Sequence, residues 1–188
     1  MTETERNKTS GETQLVVFAL ASEYYGVDIG DVREIIRMQN ITRVPGAPPF
    51  VEGVINLRGK VVTVVDLRKR LELKVGEQTK DSRIVVINIH GKDMGVIVDG
   101  VNEVLRIQLS AVEPPSSLVS NADSDYLRGI AKLATKMIIL LDLNKVLGAM
   151  GNDVNASLEK VNINPQTVDR AMEPAPSSTK KSKVASLA

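Results

Sequence analysis

His90 is the one histidine in a chain of 188 residues, and there is no cysteine. These two counts restrict the chemistry before any fold is considered. Metal sites built on two imidazoles or on thiolates are excluded, as are disulfides and cysteine nucleophiles. A Ser-His-Asp arrangement would have to use His90, which stands beside Gly91 at the end of an apolar run. A solvated turn histidine explains that placement. Asp66 and Asp142 look like paired carboxylates suited to acid–base work, but each precedes Leu and a short helical stretch at equivalent points of a repeat. Helix capping explains both. Asp93, Asp99 and Glu103 are too sparse for an oxygen cage. The glycines between Gly91 and Gly100 do not form a G-x-x-x-x-G-K-[ST] phosphate loop. Lys180, Lys181 and Lys183 lie in a polar tail where solubility accounts for them. These residues predict no catalysis, no metal and no organic cofactor.

What remains is a surface, and the elements that would present it are written twice. The stretch Phe50–Leu71 places β-rich arms on either side of a tight Leu57-Arg58-Gly59-Lys60 reversal, with Asp66-Leu67 opening a short helix. Gly59 supplies the positive φ that such a turn needs, and Arg58 is pushed to its tip. Gly53, Leu57, Lys60, Asp66, Leu67, Lys69 and Leu71 recur as Gly129, Leu133, Lys136, Asp142, Leu143, Lys145 and Leu147. Ala134-Thr135 replaces Arg58-Gly59, so the frame repeats and the exposed arginine does not. Upstream, Val16, Val17, Gly26, Val27, Val32, Glu34 and Arg37 recur as Val85, Val86, Gly95, Val96, Val101, Glu103 and Arg106.

The composition agrees with strands. Apolar residues make up 43%, aromatics only 3%, and Trp is absent, so the core must be Val, Ile and Leu. Strands are expected over Gln14–Leu20, Glu23–Ile29 and Val32–Met38, a proline loop over Val44–Pro49, then the hairpin and a short helix to Leu71. Residues 83–147 should repeat that plan. Five short strands in roughly 65 residues leave exposed edges unless the sheet closes, so the fold class is all-β, two small barrels sharing one apolar seam. Residues 1–13 read as a flexible arm, 14–147 as one body with repeats at about 14–73 and 83–147, and 151–188 as a disordered tail rich in Pro, Ser and Lys. Net charge is +1, which implies no bulk attraction to nucleic acid or anionic lipid. The N-terminus has no apolar signal core and no run reaches the ~20 residues of a membrane span, so the chain reads as cytoplasmic.

Tyr25-Gly-Val-Asp-Ile29, Val32-Arg-Glu-Ile35, Arg43-Val-Pro45, Phe50-Val-Glu-Gly-Val-Ile-Asn-Leu-Arg-Gly59 and Val64-Val-Asp-Leu-Arg68 together resemble the signature of the CheW family, the coupling proteins of bacterial chemotaxis. The similarity runs from about Gln14 to Leu147. The family also includes the regulatory domain of the CheA kinase and the N-terminal part of CheV proteins. The chain has no ATP-binding, phosphotransfer or receiver segment, so a free-standing adaptor fits best. The resemblance implies two intertwined five-stranded SH3-like barrels and no catalysis. It implies two partners, the cytoplasmic tip of methyl-accepting chemoreceptors and the regulatory domain of the CheA histidine kinase, with recruitment to membrane-associated receptor arrays. It offers no role for the long tail.

From that similarity, Ile29, Val32, Ile35, Val98 and Val101 are candidate walls of an apolar groove for a helical receptor tip, with Arg58 near the rim. For each apolar residue the competing explanation is ordinary core packing. Glu34 resembles a family position tied to coupling, although a surface ion pair with Arg37 would also explain it. The alternatives are a CheW-like scaffold serving twitching or another output, a small enzyme, and an RNA-binding small barrel. The enzyme lacks an acid–base constellation. The RNA-binding reading lacks a basic face with exposed aromatics.

Overall fold

The computed structural model describes residues 11–115 and 125–147. The expected tail at 151–188 lies outside the described residues. Among the described residues eleven strands run in the order β1 Glu12–Leu20, β2 Glu23–Asp28, β3 Val32–Arg37, β4 Val51–Leu57, β5 Lys60–Asp66, β6 Arg83–Ile89, β7 Lys92–Val98, β8 Gly100–Gln108, β9 Val112–Glu113, β10 Leu127–Lys132 and β11 Met137–Leu141. A helical turn, α1, covers Leu67–Arg70, and residues 143–147 are helical in the second copy. β1 begins at Glu12, inside the expected arm, because Glu12 and Thr13 find ladder partners in Gln108 and Ile107.

The strands form two sheets, ordered β8-β1-β2-β11-β10-β9 and β3-β6-β7-β5-β4. Neither sheet is built from one repeat. The first takes β1 and β2 from the first copy and β8 to β11 from the second; the other sheet does the reverse. Under the repeat, β3, β6, β7, β5 and β4 correspond to β8, β1, β2, β11 and β10, so the sheets share one order. Each holds a single parallel pairing, β11 on β2 and β5 on β7, and in each the two strands come from different repeats. No ladder of hydrogen bonds closes either sheet among the described residues. In the first sheet the edges β8 and β9 are consecutive in the chain, joined by the 3-10 turn Leu109–Ala111. A sheet whose two edges are tied by three residues must curl. That is how the expected closure is approached, with six strands in the first sheet rather than five.

Alternation along the strands then serves three large apolar clusters, with a small fourth at Val44 and Val54. Leu15, Val17, Ile107, Ala131, Ile138 and Leu140 fill the inside of the first sheet. Ile55, Val62, Val64, Ile84, Val86 and Ile97 fill the second. The opposite faces meet in a large central cluster that holds Val16, Phe18 and Val27 against Val85, Ile87, Val96 and Val98. This is the shared seam. Both faces are covered over Leu15–Phe18 of β1, Ile84–Ile87 of β6 and Met94–Val98 of β7, so these stretches read as unbroken apolar runs.

The repeated glycines are explained at Gly53 and Gly129. Their φ angles are +146° and +158°, both stand at register shifts, and a Cβ would meet Thr42 O at 2.1 Å or Glu113 O at 2.6 Å. Only a glycine lets the neighbouring strand come that close.

Candidate partner-binding surface

The β4–β5 hairpin pairs Leu57 with Lys60, leaving Arg58-Gly59 as a two-residue loop. Its φ angles are +54° at Arg58 and +81° at Gly59, the pattern of a type I′ turn. Asn56 Oδ1 accepts a hydrogen bond from the Gly59 N–H at 2.8 Å and stabilises the reversal. The first position of such a turn favours Asn, Asp or Gly, so an arginine there is a local cost that another role must offset. The β6–β7 turn is built the same way, with Asn88 Oδ1 accepting from the Gly91 N–H and His90 at φ +49°. Histidine tolerates that region better than most residues. His90 is exposed at the turn, as a solvated histidine should be.

Arg58 is 79% exposed, and its Nη2 donates to Glu34 Oε2 on β3 at 2.8 Å. The two polar candidates are one unit, and Arg37 is not the partner of Glu34. β3 is an edge strand, paired only to β6. A register shift between Val32 and Glu34 divides its faces. Val32 lies opposite Ile87 and Ile35 opposite Val85, both on the seam side; Glu34 lies opposite Val86, on the side of the sheet interior. Ile35 is 40% exposed, although its neighbours across the ladder are buried. Ile29 is 37% exposed in the 3-10 turn Ile29–Asp31, where Asp28 Oδ1 accepts from the Gly30 N–H. Val32 and Val101 are half-buried against the central cluster. Val98 is the correction: it is wholly buried in that cluster and packs as core. The inner face of β7 has no free side, because the other sheet covers it.

The second copy carries a counterpart that the sequence reading passed over. Glu103, the repeat of Glu34, is paired with Lys136 at the β10–β11 turn, and Lys136 Nζ also sits 5.5 Å from the centre of the Tyr24 ring. Val104, the repeat of Ile35, is 53% exposed opposite Val16. The signal was present in the recurrence of Glu34 as Glu103 and of Lys60 as Lys136.

At the far end of β5 from the hairpin tip, an ionic network links the two sheets. Arg68 is 1% exposed. Its Nε and Nη2 donate to the two carboxylate oxygens of Asp66 at 3.0 and 2.7 Å, and its Nη1 donates to Asp99 Oδ1 at 2.6 Å. Asp99 Oδ2 accepts from the Ala21 N–H at 2.6 Å, in the β1–β2 turn of the other sheet. Asp66 Oδ1 also accepts from the Arg68 N–H and so caps α1, as expected. Hydrogen bonding to Asp66, ahead of the opposing effect of burial, pushes the Arg68 guanidinium above its ordinary value. In the second copy, Asp142 caps its helix by accepting from the Lys145 N–H.

Among the described residues no group of three His, Cys, Asp or Glu side chains is arranged to hold a metal ion, and no helix is long and apolar enough to cross a membrane. The arrangement is one of exposed apolar edge residues beside carboxylate–cation pairs at hairpin tips. That is chemistry for docking.

Residues 14–150 match the model of the CheW-like domain. The chain belongs to the CheW-like family. It is 33% identical over 146 residues to the chemotaxis protein CheW of Klebsiella aerogenes, covering 76% of this chain and 88% of that protein. To the CheW of Bacillus subtilis it is 36% identical over 134 residues, covering 71% and 86%. The scaffolding protein TtCheW from Thermoanaerobacter tengcongensis has a solved structure that superposes with a TM-score of 0.68 at 43% identity. It covers 74% of this chain and 94% of that one. The CheW-like fold accounts for the mostly-β class, the two sheets and the exchange between repeats.

Proposed function

We propose that this CheW-like chain is a non-catalytic adaptor of bacterial chemotaxis signal transduction, coupling chemoreceptors to the CheA histidine kinase. The observation that carries the reading is Arg58, held in a turn conformation unfavourable for it, exposed, and joined to Glu34 beside the exposed Ile35 of an edge strand. Its family supports the kind of partner. The cytoplasmic tip of a methyl-accepting chemoreceptor is a helical hairpin, and exposed Ile29 and Ile35 with half-buried Val32 and Val101 offer it an apolar ridge, with Arg58 and Glu34 as a polar rim. The CheA regulatory domain shares the fold and would meet the end of a sheet. Two separate surfaces are what an adaptor needs to hold both partners at once. Work in the cytoplasm at membrane-associated receptor arrays follows from those partners.

The test is titration of Arg58→Ala and Arg58→Lys against receptor tip and CheA regulatory domain separately. A hot-spot arginine costs ~2 kcal/mol on truncation, roughly thirtyfold in Kd. Lysine keeps the charge and loses the planar fork, so it should recover only part. Parental affinity of Arg58→Ala for both partners would remove Arg58 from the surface.

A further inference from the structure

The first sheet curls around its inner cluster, and its mouth lies between β1, β2, the Leu109–Ala111 turn, β9 and the second hairpin. A cavity of about 270 Å³ opens there. Leu15, Val112 and Leu140 form an apolar floor continuous with that cluster, and Thr13, Asp28 and Arg128 stand among the walls. Barrel mouths are common ligand sites, and an apolar floor with a few convergent polar groups is their usual make-up. The volume lies just under the ~300 Å³ at which drug-sized ligands begin. It suits a molecule no larger than one free amino acid.

The polar groups carry opposite charges. Asp28 Oδ2 accepts a hydrogen bond from the Thr13 hydroxyl at 3.2 Å, and its Oδ1 accepts from the Gly30 N–H at 2.8 Å. Each oxygen keeps a further lone pair, so the carboxylate is fixed in place and still able to accept. Arg128 is exposed, and its guanidinium makes no ion pair or hydrogen bond among the described residues. Asp31 senses the same field: burial raises its carboxyl, Asp28 adds to the rise, Arg128 opposes it and Asp142 adds again.

The repeat supplies an internal comparison. Thr13, Asp28 and Arg128 correspond to Ser82, Ile97 and Glu52. Ile97 is wholly buried in the inner cluster of the second sheet, and Glu52 is paired with Lys69. The equivalent place therefore has an aliphatic core residue where Asp28 stands and an acid where Arg128 stands. The fold itself does not need this pair of charges. Capping of the Ile29–Asp31 turn accounts for one oxygen of Asp28, and no contact among the described residues accounts for Arg128.

We propose that this mouth binds a free aliphatic α-amino acid. Its side chain lies on Leu15, Val112 and Leu140, its ammonium meets Asp28, and its carboxylate meets the Arg128 guanidinium, whose planar fork matches carboxylate geometry. A zwitterion answers both charges, which a simple acid or a simple amine does not. This binding does not depend on the partners proposed above.

The test is a methyl NMR titration of the full chain with L-leucine. Saturable shifts are expected at Leu15, Val112 and Leu140, and none at Val64 and Ile97 in the second sheet. Arg128→Gln should weaken leucine binding at least about tenfold and leave the affinity for leucinamide, which lacks the carboxylate, at the parental value. Asp28→Asn should weaken leucine by a similar factor and spare isocaproate, which lacks the ammonium. Asparagine keeps an oxygen for the Gly30 N–H, and melting curves check that the fold survives; if it does not, Arg128→Gln decides alone. The absence of saturable shifts overturns the proposal, as does parental leucine affinity in Arg128→Gln. Equal shifts in both sheets overturn it too, since they mark apolar contact without a site.

Discussion

Replacing Arg68 by methionine should be among the most damaging single changes in the chain, and the structure sets the size of the effect. Arg68 and Asp66 side chains are 2% and 3% exposed. Methionine fills much of the space but leaves the Asp66 carboxylate inside the fold without its two guanidinium donors. Breaking a buried pair from one side costs ~3–5 kcal/mol, against a whole-domain stability of ~5–15 kcal/mol. Asp99 is 27% exposed and keeps the Ala21 N–H as donor, so Asp99→Asn should cost less, ~1–2 kcal/mol. The double variant Asp66→Asn, Arg68→Met removes both charges and keeps an oxygen to cap α1. It should be more stable than the sum of the single changes predicts, by ~2 kcal/mol or more. Urea unfolding of the parent, the single variants Arg68→Met and Asp66→Asn, and their double gives the coupling directly. If Arg68→Met unfolds within ~1 kcal/mol of the parent, the network does not hold the sheets together and the reasoning fails.

Three further outcomes follow from the same geometry. Because each sheet draws strands from both repeats, limited proteolysis within residues 74–83 should yield fragments that stay associated; two separately folding halves would contradict the exchange. Burial raises the Asp31 carboxyl above its ordinary 3.8, with Asp28 adding to the effect and Arg128 opposing it. The fold therefore favours protonated Asp31, and this contribution is present at acid pH and lost as pH rises through the raised value. Asp31→Asn should accordingly stabilise the chain at neutral pH and give no advantage below the ordinary value, read from melting curves across that range; a gain independent of pH would refute it. His90→Ala should leave partner binding unchanged, because the imidazole is exposed at a turn whose reversal is secured by Asn88 and Gly91. Loss of binding by a variant that remains folded would give His90 a role in the adaptor surface.

The class of fold was legible because β1, β5, β6, β7 and β11 carry runs rich in Val, Ile and Leu, and because the pattern recurs in register. The exchange between repeats was not legible from the residues alone. β1 and β6 carry the same apolar pattern, so either can add to either sheet, and the choice is made by packing across the central cluster. The same ambiguity misplaced Val98: when both faces of a strand are covered, alternation no longer separates core from surface. Arg58 and Glu34 were each legible, but their pairing was not, since it joins a hairpin tip to an edge strand that precedes it. Arg68 was hidden by a sufficient local explanation. Asp66 reads as a helix cap and is one, and nothing in sequence announces that it also holds a buried guanidinium reaching Asp99.

The central claim is that one chain holds two partners on separate surfaces. Its most direct test is isothermal titration of the CheA regulatory domain into this protein, first alone and then saturated with a receptor-tip hairpin. Separate surfaces predict a ternary complex and a Kd that changes by less than about threefold, or under ~1 kcal/mol. Competition, with the kinase domain displacing the receptor tip as it binds, would contradict the adaptor.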